Sequence, residues 1–456
     1  MRKPVYRFIT TVVLALIAVS SFAFVWLKYV SEHNNTGHLL GYGNIGMALS
    51  IYFFLFVLSG RWFHAFKIGV ERKAKLIAGM VFTIWATNVI EIFISIAITG
   101  NFRFFWDFTW RYLLLSAGQS VVLSALALIL VNLFWAIYPP TMVLEITGAR
   151  KNKLPDKLNG LRNKYKIVRS LDCSVPFSEI KAEVEKAESV LINDVPANIE
   201  NDIVKLCFEK NKRVYVTPKI SDIIMKSSEN LNVVDTPLFL CRNQGISPSQ
   251  EAVKRFFDIV LSSVALILLS PILLITAIAI KLDDQGPVFY KQERVTKNDK
   301  RFMILKFRSM IVDAEKDGRP RPAGEKDDRI TKVGRIIRAC RIDELPQLIN
   351  IIKGDMSIVG PRPERVEHVR KYTSEIPEFE YRHKVKGGLT GYAQVYGKYN
   401  TSALDKLKLD LLYITNYSVL LDIQILFETL KILFIKESTE GFDEETLKEI
   451  QEGEGL

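Results

Sequence analysis

The chain has 456 residues, 61 Lys plus Arg against 50 Asp plus Glu, and a formal net charge of +11. With 48% hydrophobic and 24% charged residues it is neither disordered nor collagen-like, and its length predicts two or three domains. Long apolar runs fill residues 1–140 while 141–456 read mostly as α/β protein, which excludes a purely soluble enzyme and a transporter that lies wholly in the bilayer.

Four apolar stretches occur at about 9–30, 44–60, 77–99 and 113–138, and a helix needs about 20 apolar residues to cross the hydrocarbon. The second is short and borrows Trp62 and Phe63. The first is too long for a cleavable leader and lacks a small-residue cleavage site. Positive charge sets the orientation: Arg2, Lys3 and Arg7 precede the first span, none lie in 31–43, and Arg61, Lys67, Arg72, Lys73 and Lys75 follow the second. Only Arg103 and Arg111 lie in 100–112, and Arg150, Lys151 and Lys153 follow the fourth, so both ends are expected to be cytoplasmic. Trp106, Trp110, Trp135 and Tyr138 read as interfacial anchors. Glu91, inside the third span, is a functional candidate by default, although a partner within the bundle is the plainer reading.

From 141 to about 248, β-rich runs alternate with amphipathic ones: strands at Val143–Ile146, Lys166–Ser170, Ser189–Ile192 and Arg213–Val216, helices at about 177–188 and 198–210. This alternation predicts a parallel sheet with crossover helices. Dinucleotide binding would require a Gly-x-Gly-x-x-Gly turn after the first strand. Here the turn reads Ile146-Thr147-Gly148-Ala149-Arg150, with one glycine, so a structural or regulatory module without nucleotide is expected. The cysteines Cys173, Cys207, Cys241 and Cys340 are far apart and the five histidines scattered, which fits neither a zinc site nor a disulfide framework.

A fifth apolar helix is expected at about 257–281, with Ser270-Pro271 in its middle. An interior proline deletes one backbone hydrogen bond and kinks the helix, and a neighbouring serine hydroxyl can serve the freed carbonyl. A full crossing would put the basic segment that follows outside the cell, so a re-entrant helix is expected, a proline-kinked fifth span being the alternative. Lys254, Arg255 and Lys281 would then lie among the headgroups.

Residues 282–342 are rich in Lys and Arg, including Lys291, Arg294, Lys306, Arg308, Arg335, Arg338 and Arg341. Guanidinium groups grip phosphate oxygens, so phosphate handling is the sharp reading, a solvated face on anionic lipid the bland one, and nucleic acid is not expected. In Arg341-Ile-Asp343-Glu344-Leu-Pro346, the proline opens a helix and puts both carboxylates at its N-terminus. The helix dipole, Arg338 and Arg341 are expected to keep both ionised. An ionised Asp can attack phosphorus, and a neighbouring Glu can hold a hard divalent cation. An N-capping Asp beside a surface Glu is the alternative for the dipeptide alone.

The stretch from about 254 to 436 resembles the bacterial sugar transferases, the monotopic polyprenyl-phosphate phosphoglycosyl transferases. The resemblance is carried by KRFFDIVLSSVALILLSP, GPVFYKQERV, FMILKFRSM, RIDELPQLINIIKGDMSIVGPRP, GGLTGYAQVYG and LDLLYITNYSVLLDIQILFETL, in that order. It implies transfer of a sugar-1-phosphate from a UDP-sugar to undecaprenyl phosphate with Mg²⁺ (or Mn²⁺), giving UMP, at the cytoplasmic membrane of a bacterium. It further implies that Asp343 is the nucleophile, passing through a phosphosugar-aspartyl intermediate, and that Glu344 binds metal. By the same resemblance Arg338 would hold the polyprenyl phosphate, and Pro361, Arg362 and Pro363 would lie near the nucleotide. Lys306, Arg308 and Arg341 are further substrate-binding candidates, and Asp410 and Asp422 further metal candidates. Ser270 and Pro271 match the family's re-entrant break. Gly387-Gly388 stands where Pro-Gly is common, which is expected to loosen that loop.

The expected fold class is therefore membrane α plus α/β: four transmembrane helices over 1–140, a Rossmann-like module over 141–248, and a mainly helical catalytic domain over 249–436. An acidic tail covers 437–456. An amphipathic stretch, Val419–Phe434, would help seat the site at the interface. The membrane and α/β modules offer surfaces for a homodimer. A catalytically inactive scaffold and a lipid or polysaccharide exporter are the rival readings. The absence of an evident inverted repeat disfavours the exporter.

Overall fold

The computed structural model describes residues 3–30, 42–148, 152, 154–161, 163–241, 245–312, 314, 327–397 and 401–433. Residues 31–41, Arg150, Lys151, Lys153, Phe434 and the acidic tail lie outside the described residues. The chain divides into two compact units, Met1–Pro218 and Lys219–Leu456.

The first unit opens with α1 (Lys3–Val25), prolonged by a wider π turn over Trp26–Val30, then α2 (Tyr42–Trp62), α3 (Lys73–Thr99) and α4 (Phe105–Ile137). They pack side by side around Leu14, Phe22, Tyr52, Phe56, Met80, Ile84, Phe108, Tyr112 and Leu123. The rings of Phe22 and Tyr52 stack with centroids 4.0 Å apart. A polar ladder crosses this apolar core: Asn88 donates to Gln119 and Ser116, both at 2.9 Å, and Gln119 donates to Ser21 at 2.8 Å. Buried amides need such partners where no water reaches them. Glu91 is fully buried on α3, and among the described residues its carboxylate has no hydrogen-bond partner, contrary to the plainer reading. Trp106 and Trp110 are exposed, as anchors would be.

The same unit continues as β1 (Thr141–Thr147), α5 (Leu154–Asn159), β2 (Tyr165–Asp172), α6 (Phe177–Lys186), β3 (Ser189–Asn193), α7 (Ala197–Glu209) and β4 (Arg213–Val216). All four strands run parallel in the order β2-β1-β3-β4, as alternation of short strands with helices dictates. After β1, the Gly148 amide donates to the Asn193 carbonyl at 2.9 Å, and a Cβ there would lie 1.9 Å from the Asp194 carbonyl oxygen. The buried Glu145 on β1 accepts from the buried Asn193 at 2.9 Å and from the exposed Ser170 at 2.6 Å.

The second unit begins with α8 (Ile220–Lys226), whose Ile223 joins Phe379, Leu407 and Leu411 in a core. Strands β5 (Glu229–Val233) and β6 (Thr236–Leu240) form an antiparallel hairpin exposed on both faces. Helix α9 (Pro248–Asp284) is capped by Ser247, which exchanges side-chain and backbone bonds with Gln250, and Pro248 occupies its first position. The chain is helical on both sides of Pro271. The Ser270 hydroxyl donates at 2.7 Å to the Ile267 carbonyl, the acceptor that Pro271 has no N–H to serve.

Antiparallel strands β7 (Phe289–Val295) and β8 (Arg301–Phe307) follow, then α10 (Lys332–Ala339), α11 (Gln347–Lys353) and β9 (Ser357–Val359). The chain ends with α12 (Val366–Glu375), β10 (Gly388–Thr390) parallel to β9, α13 (Tyr392–Tyr396), α14 (Ala403–Thr415) and α15 (Val419–Leu433). Both halves of α9 lie on this same unit. Ala265 and Leu266 pack with Phe302, Ile304, Leu348 and Met356, while Leu273, Ala277 and Ile280 pack with Phe307, Ile337 and Ile342. Lys254 is buried and Arg255 half-buried at the start of this helix, while Lys281 at its end is exposed. Lys254 pairs with Asp422 at 2.5 Å, Arg255 donates to the carbonyls of Ile351 and Ile352 at 2.5 and 2.7 Å, and Lys281 donates to the Gln285 carbonyl.

Candidate active site

Asp343 and Glu344 lie in a single 3₁₀ turn, Ile342–Glu344, between α10 and α11. Arg341, just before it, adopts φ 56°, ψ 19°, a left-handed conformation that L side chains rarely accept and that turns the chain sharply into the dyad. The carboxylates therefore precede α11 by a turn, with Pro346 next to its first residue.

Strand β8 brings the cation. Asn350 on α11 accepts from the Leu305 amide and donates to the Met303 carbonyl, both at 2.9 Å, so α11 is stitched to β8 beside Lys306. Lys306 Nζ lies 2.7 Å from Glu344 Oε1, and Arg362 Nη2 reaches the same oxygen at 2.8 Å. Among the described residues, Glu344 Oε2 carries only the longer approach of Arg341 at 4.0 Å. Asp343 Oδ1 is buried and, among the described residues, accepts no hydrogen bond.

Electrostatics part the two carboxylates. Burial pulls Glu344 up, but Arg362 and Lys306 outweigh it and hold the group well below the usual carboxylate range. Burial, then the charge of Glu344, pushes Asp343 up, against the opposing pull of Lys306, Arg338 and Arg341. For Asp343, lost hydration and the buried neighbouring anion outweigh the pull of Lys306, Arg338 and Arg341.

The loop at Pro361, Arg362 and Pro363 follows β9 and is held by its backbone. The carbonyls of Pro361, Arg362, Pro363 and Glu364 accept from Gly388 N at 2.9 Å, Arg382 Nη2 at 3.0 Å, Arg294 Nη1 at 3.2 Å and Val295 N at 3.1 Å. The neighbouring Gly387-Gly388 stretch is not loosened. The Gly387 amide donates to Thr296 Oγ1 at 3.0 Å, a bond proline could not make, and a Cβ on Gly387 would come within 2.7 Å of Pro363.

Lys306, Asp343, Glu344 and Arg362 are thus brought together, with Arg338 and Arg341 close enough to act on Asp343. Arg308 is buried and paired with Asp284 of α9, its Nε and Nη1 without hydrogen bonds among the described residues. The metal set of Glu344, Asp410 and Asp422 does not assemble. Asp410 forms a buried pair with Arg382 at 2.7 Å, Asp422 pairs with Lys254 and accepts from Tyr413 at 2.8 Å, and no three acidic, His or Cys side chains converge among the described residues. Sequence reasoning missed Arg382 and Glu364. Buried pairs between remote segments leave no periodic trace, and only the burial of two charged residues at 382 and 410 betrays them.

Residues 249–436 match the family model of the bacterial sugar transferases. Over 190 residues the chain is 45% identical to a UDP-N-acetylgalactosamine-undecaprenyl-phosphate N-acetylgalactosaminephosphotransferase of Aeromonas hydrophila, covering 41% of this chain and 45% of that protein. It is 43% identical over 223 residues to a UDP-glucose:undecaprenyl-phosphate glucose-1-phosphate transferase of Klebsiella pneumoniae, covering 48% and 47% respectively. With an exopolysaccharide production protein of Rhizobium leguminosarum bv. phaseoli it shares 39% identity over 197 residues, 41% of this chain and 96% of that one. The match spans about half the length of the first two relatives. On the family match and the near-complete coverage of the Rhizobium protein, the chain belongs to the bacterial sugar transferase family.

Proposed function

We propose that this protein transfers a sugar-1-phosphate from a UDP-sugar to undecaprenyl phosphate, releasing UMP and giving undecaprenyl-diphosphate-sugar, the initiating step of exopolysaccharide or capsule synthesis. The observation that carries this reading is Asp343 Oδ1, an acceptor without a hydrogen bond beside the Lys306–Glu344–Arg362 cluster, inside the segment matched to the family. An Asp343 oxygen attacks the sugar-bearing phosphorus, the bond to the UMP oxygen breaks, and UMP departs. An oxygen of undecaprenyl phosphate then attacks the same phosphorus and the aspartyl bond breaks, restoring Asp343. Lys306 and Arg362 offset the charge that collects around the transferring group, and Arg338 is the guanidinium assigned to the acceptor phosphate.

Mg²⁺, or Mn²⁺ in its place, fits in part. Such an ion takes one or two carboxylates and completes its shell with phosphate oxygens and water, and Glu344 Oε2 is the oxygen free to hold it. Asp410 and Asp422 are committed to Arg382 and Lys254. When bound, the ion supplies further neutralisation of phosphate charge.

The helices α1 to α4 and α9 are long and apolar enough to cross a membrane. We assign four spans to α1 to α4 and a re-entrant course to α9, with the catalytic unit on the cytoplasmic face of the bacterial inner membrane. The packing of both halves of α9 on one polar unit supports this, and its outer side, with Ile267, Leu268, Leu274 and Ile275 exposed, suits lipid. The β5–β6 hairpin leaves Val234 97% and Phe239 72% exposed, and an isolated two-stranded hairpin is marginal in water, so it is the surface we assign to a homodimer.

The test is UMP release by the full chain in nanodiscs containing undecaprenyl phosphate and Mg²⁺, with UDP-glucose, UDP-galactose and N-acetylated UDP-sugars as donors. Release lost in Asp343→Asn is expected. Equal release by the folded mutant overturns the nucleophile, and silence with every donor, beside a working control enzyme, overturns the reaction.

A further inference from the structure

We infer that Arg382 and Asp410 are positioning residues that fix Arg362 on Glu344, and that Asp410 is not a metal ligand. This rests on the reading of Asp343 and Glu344 given above. The Arg382 side chain is 1% exposed and so is that of Asp410. Nη2 and Nε of Arg382 reach Asp410 Oδ2 at 2.7 and 3.1 Å, and Nη2 also donates to the Arg362 carbonyl at 3.0 Å. Nη1 lies 3.8 Å from Glu364 Oε1, which Lys406 of α14 approaches at 3.0 Å. One guanidinium thus touches the carbonyl of Arg362 and the carboxylate two residues on.

The carboxylate of Asp410 fixes the plane of that fork. A buried arginine without its carboxylate keeps its charge and loses its orientation, since the guanidinium does not give up its proton. The carbonyl of Arg362 then loses its donor, and the Arg362 side chain is no longer directed to Glu344, 2.8 Å away. A metal ion at the Asp410 carboxylate would sit against the buried Arg382 cation, whose Nη2 lies 2.7 Å from Oδ2.

The experiment compares Asp410→Asn, Arg382→Lys, Arg362→Lys and the double variant Asp410→Asn/Arg362→Lys with the full chain in nanodiscs, with Asp343→Asn in parallel. Each single variant is expected to lower kcat/KM about tenfold or more, and the double variant to be no worse than the poorer single one, as for residues acting as one unit. The loss in Asp410→Asn should divide between kcat and KM for the UDP-sugar in the same proportion as in Arg362→Lys; a loss of folded protein alone would lower kcat and leave KM unmoved. The Mg²⁺ concentration for half-maximal rate should stay unchanged. A several-fold rise in that concentration for Asp410→Asn, or multiplicative losses in the double variant, overturns the inference. If Asp410→Asn fails to fold, Arg382→Lys, which keeps the charge, is read by the same kcat-against-KM split and the same metal titration, and a split unlike that of Arg362→Lys overturns it. Activity retained in Asp343→Asn instead sinks the underlying reading, so the two failures are distinct.

Discussion

The hydroxyl of Ser270 stands 2.7 Å from the carbonyl oxygen of Ile267, the one acceptor in α9 that Pro271 leaves without a backbone donor. Side chain and imino acid are therefore a compensating pair: the proline deletes a bond and the serine before it replaces the donor.

Ser270→Ala is expected to lower stability by about 1 kcal/mol, the net value of one hydrogen bond, read as a fall of a few degrees in Tm. In a Pro271→Ala background the backbone N–H returns and the same serine change should cost nothing. Thermal unfolding of the four proteins in nanodiscs checks this, and equal costs in both backgrounds would refute the pairing.

On the proposed aspartyl route, the acid limb of the pH–rate profile belongs to Asp343. Its carboxyl must be ionised to attack, and burial followed by Glu344 moves its titration above the usual Asp range of about 3.9. The limb should therefore lie above that value, and Lys306→Met should move it higher still, since Lys306 opposes the shift. A limb at the ordinary position, or one moved lower by Lys306→Met, contradicts the assignment.

Glu344 makes a stability contribution of opposite sign. Its folded-state titration lies well below the ordinary value, so the contribution is fully present above about pH 4.3 and is lost as pH falls through the folded value. Denaturation of wild type and Glu344→Gln between pH 3 and 7 is expected to show a stability gap at pH 7 that narrows only on acidification. A constant gap would deny the linkage.

His383 gives a second acid-side effect, higher on the scale. Its Nδ1 lies 2.6 Å from Asp299 at the tip of the β7–β8 hairpin, yet burial, then Arg382, lowers its titration below the ordinary value in spite of that partner. A histidine depressed in the folded state takes its proton more readily when unfolded. Stability should fall as pH drops below about 6.5 towards the folded value, and His383→Gln should flatten that slope. Equal slopes for wild type and variant would remove His383 from the account.

Two displacements through a covalent enzyme predict parallel initial-rate plots and a phosphosugar-enzyme that accumulates when undecaprenyl phosphate is withheld. Intersecting plots with no trapped species would replace the aspartyl route by direct transfer.

What was legible in the sequence had local causes. Apolar length placed α1 to α4 within a few residues, and alternation placed β1 to β4 and their parallel order of chain direction. The Asp343–Glu344 dyad was legible through its motif, Arg362 through the same resemblance, and Lys306 through the basic composition of 282–342. The course of the charges was not. Which cation meets which carboxylate depends on segments far apart in sequence, as in the 28 residues between Arg382 and Asp410 and the 168 between Lys254 and Asp422. The upward shift of Asp343 was hidden for a related reason: composition names its arginine neighbours, but only the fold says how much water it has lost. Gly387 was read as slack because a missing proline ring is visible in sequence, while the amide bond to Thr296 that replaces it is not.

The four carbonyls from Pro361 to Glu364 draw their donors from both directions along the chain, Arg294 and Val295 before them, Arg382 and Gly388 after. During synthesis the first two donors exist when the loop emerges and the last two do not. Asp410 and the α15 residue Asp422, which closes on Lys254 at the start of α9, come later still. A nascent chain therefore holds the Pro361–Glu364 loop short of two donors until Arg382 and Gly388 emerge, and the pairs of Asp410 and Asp422 close only with α14 and α15.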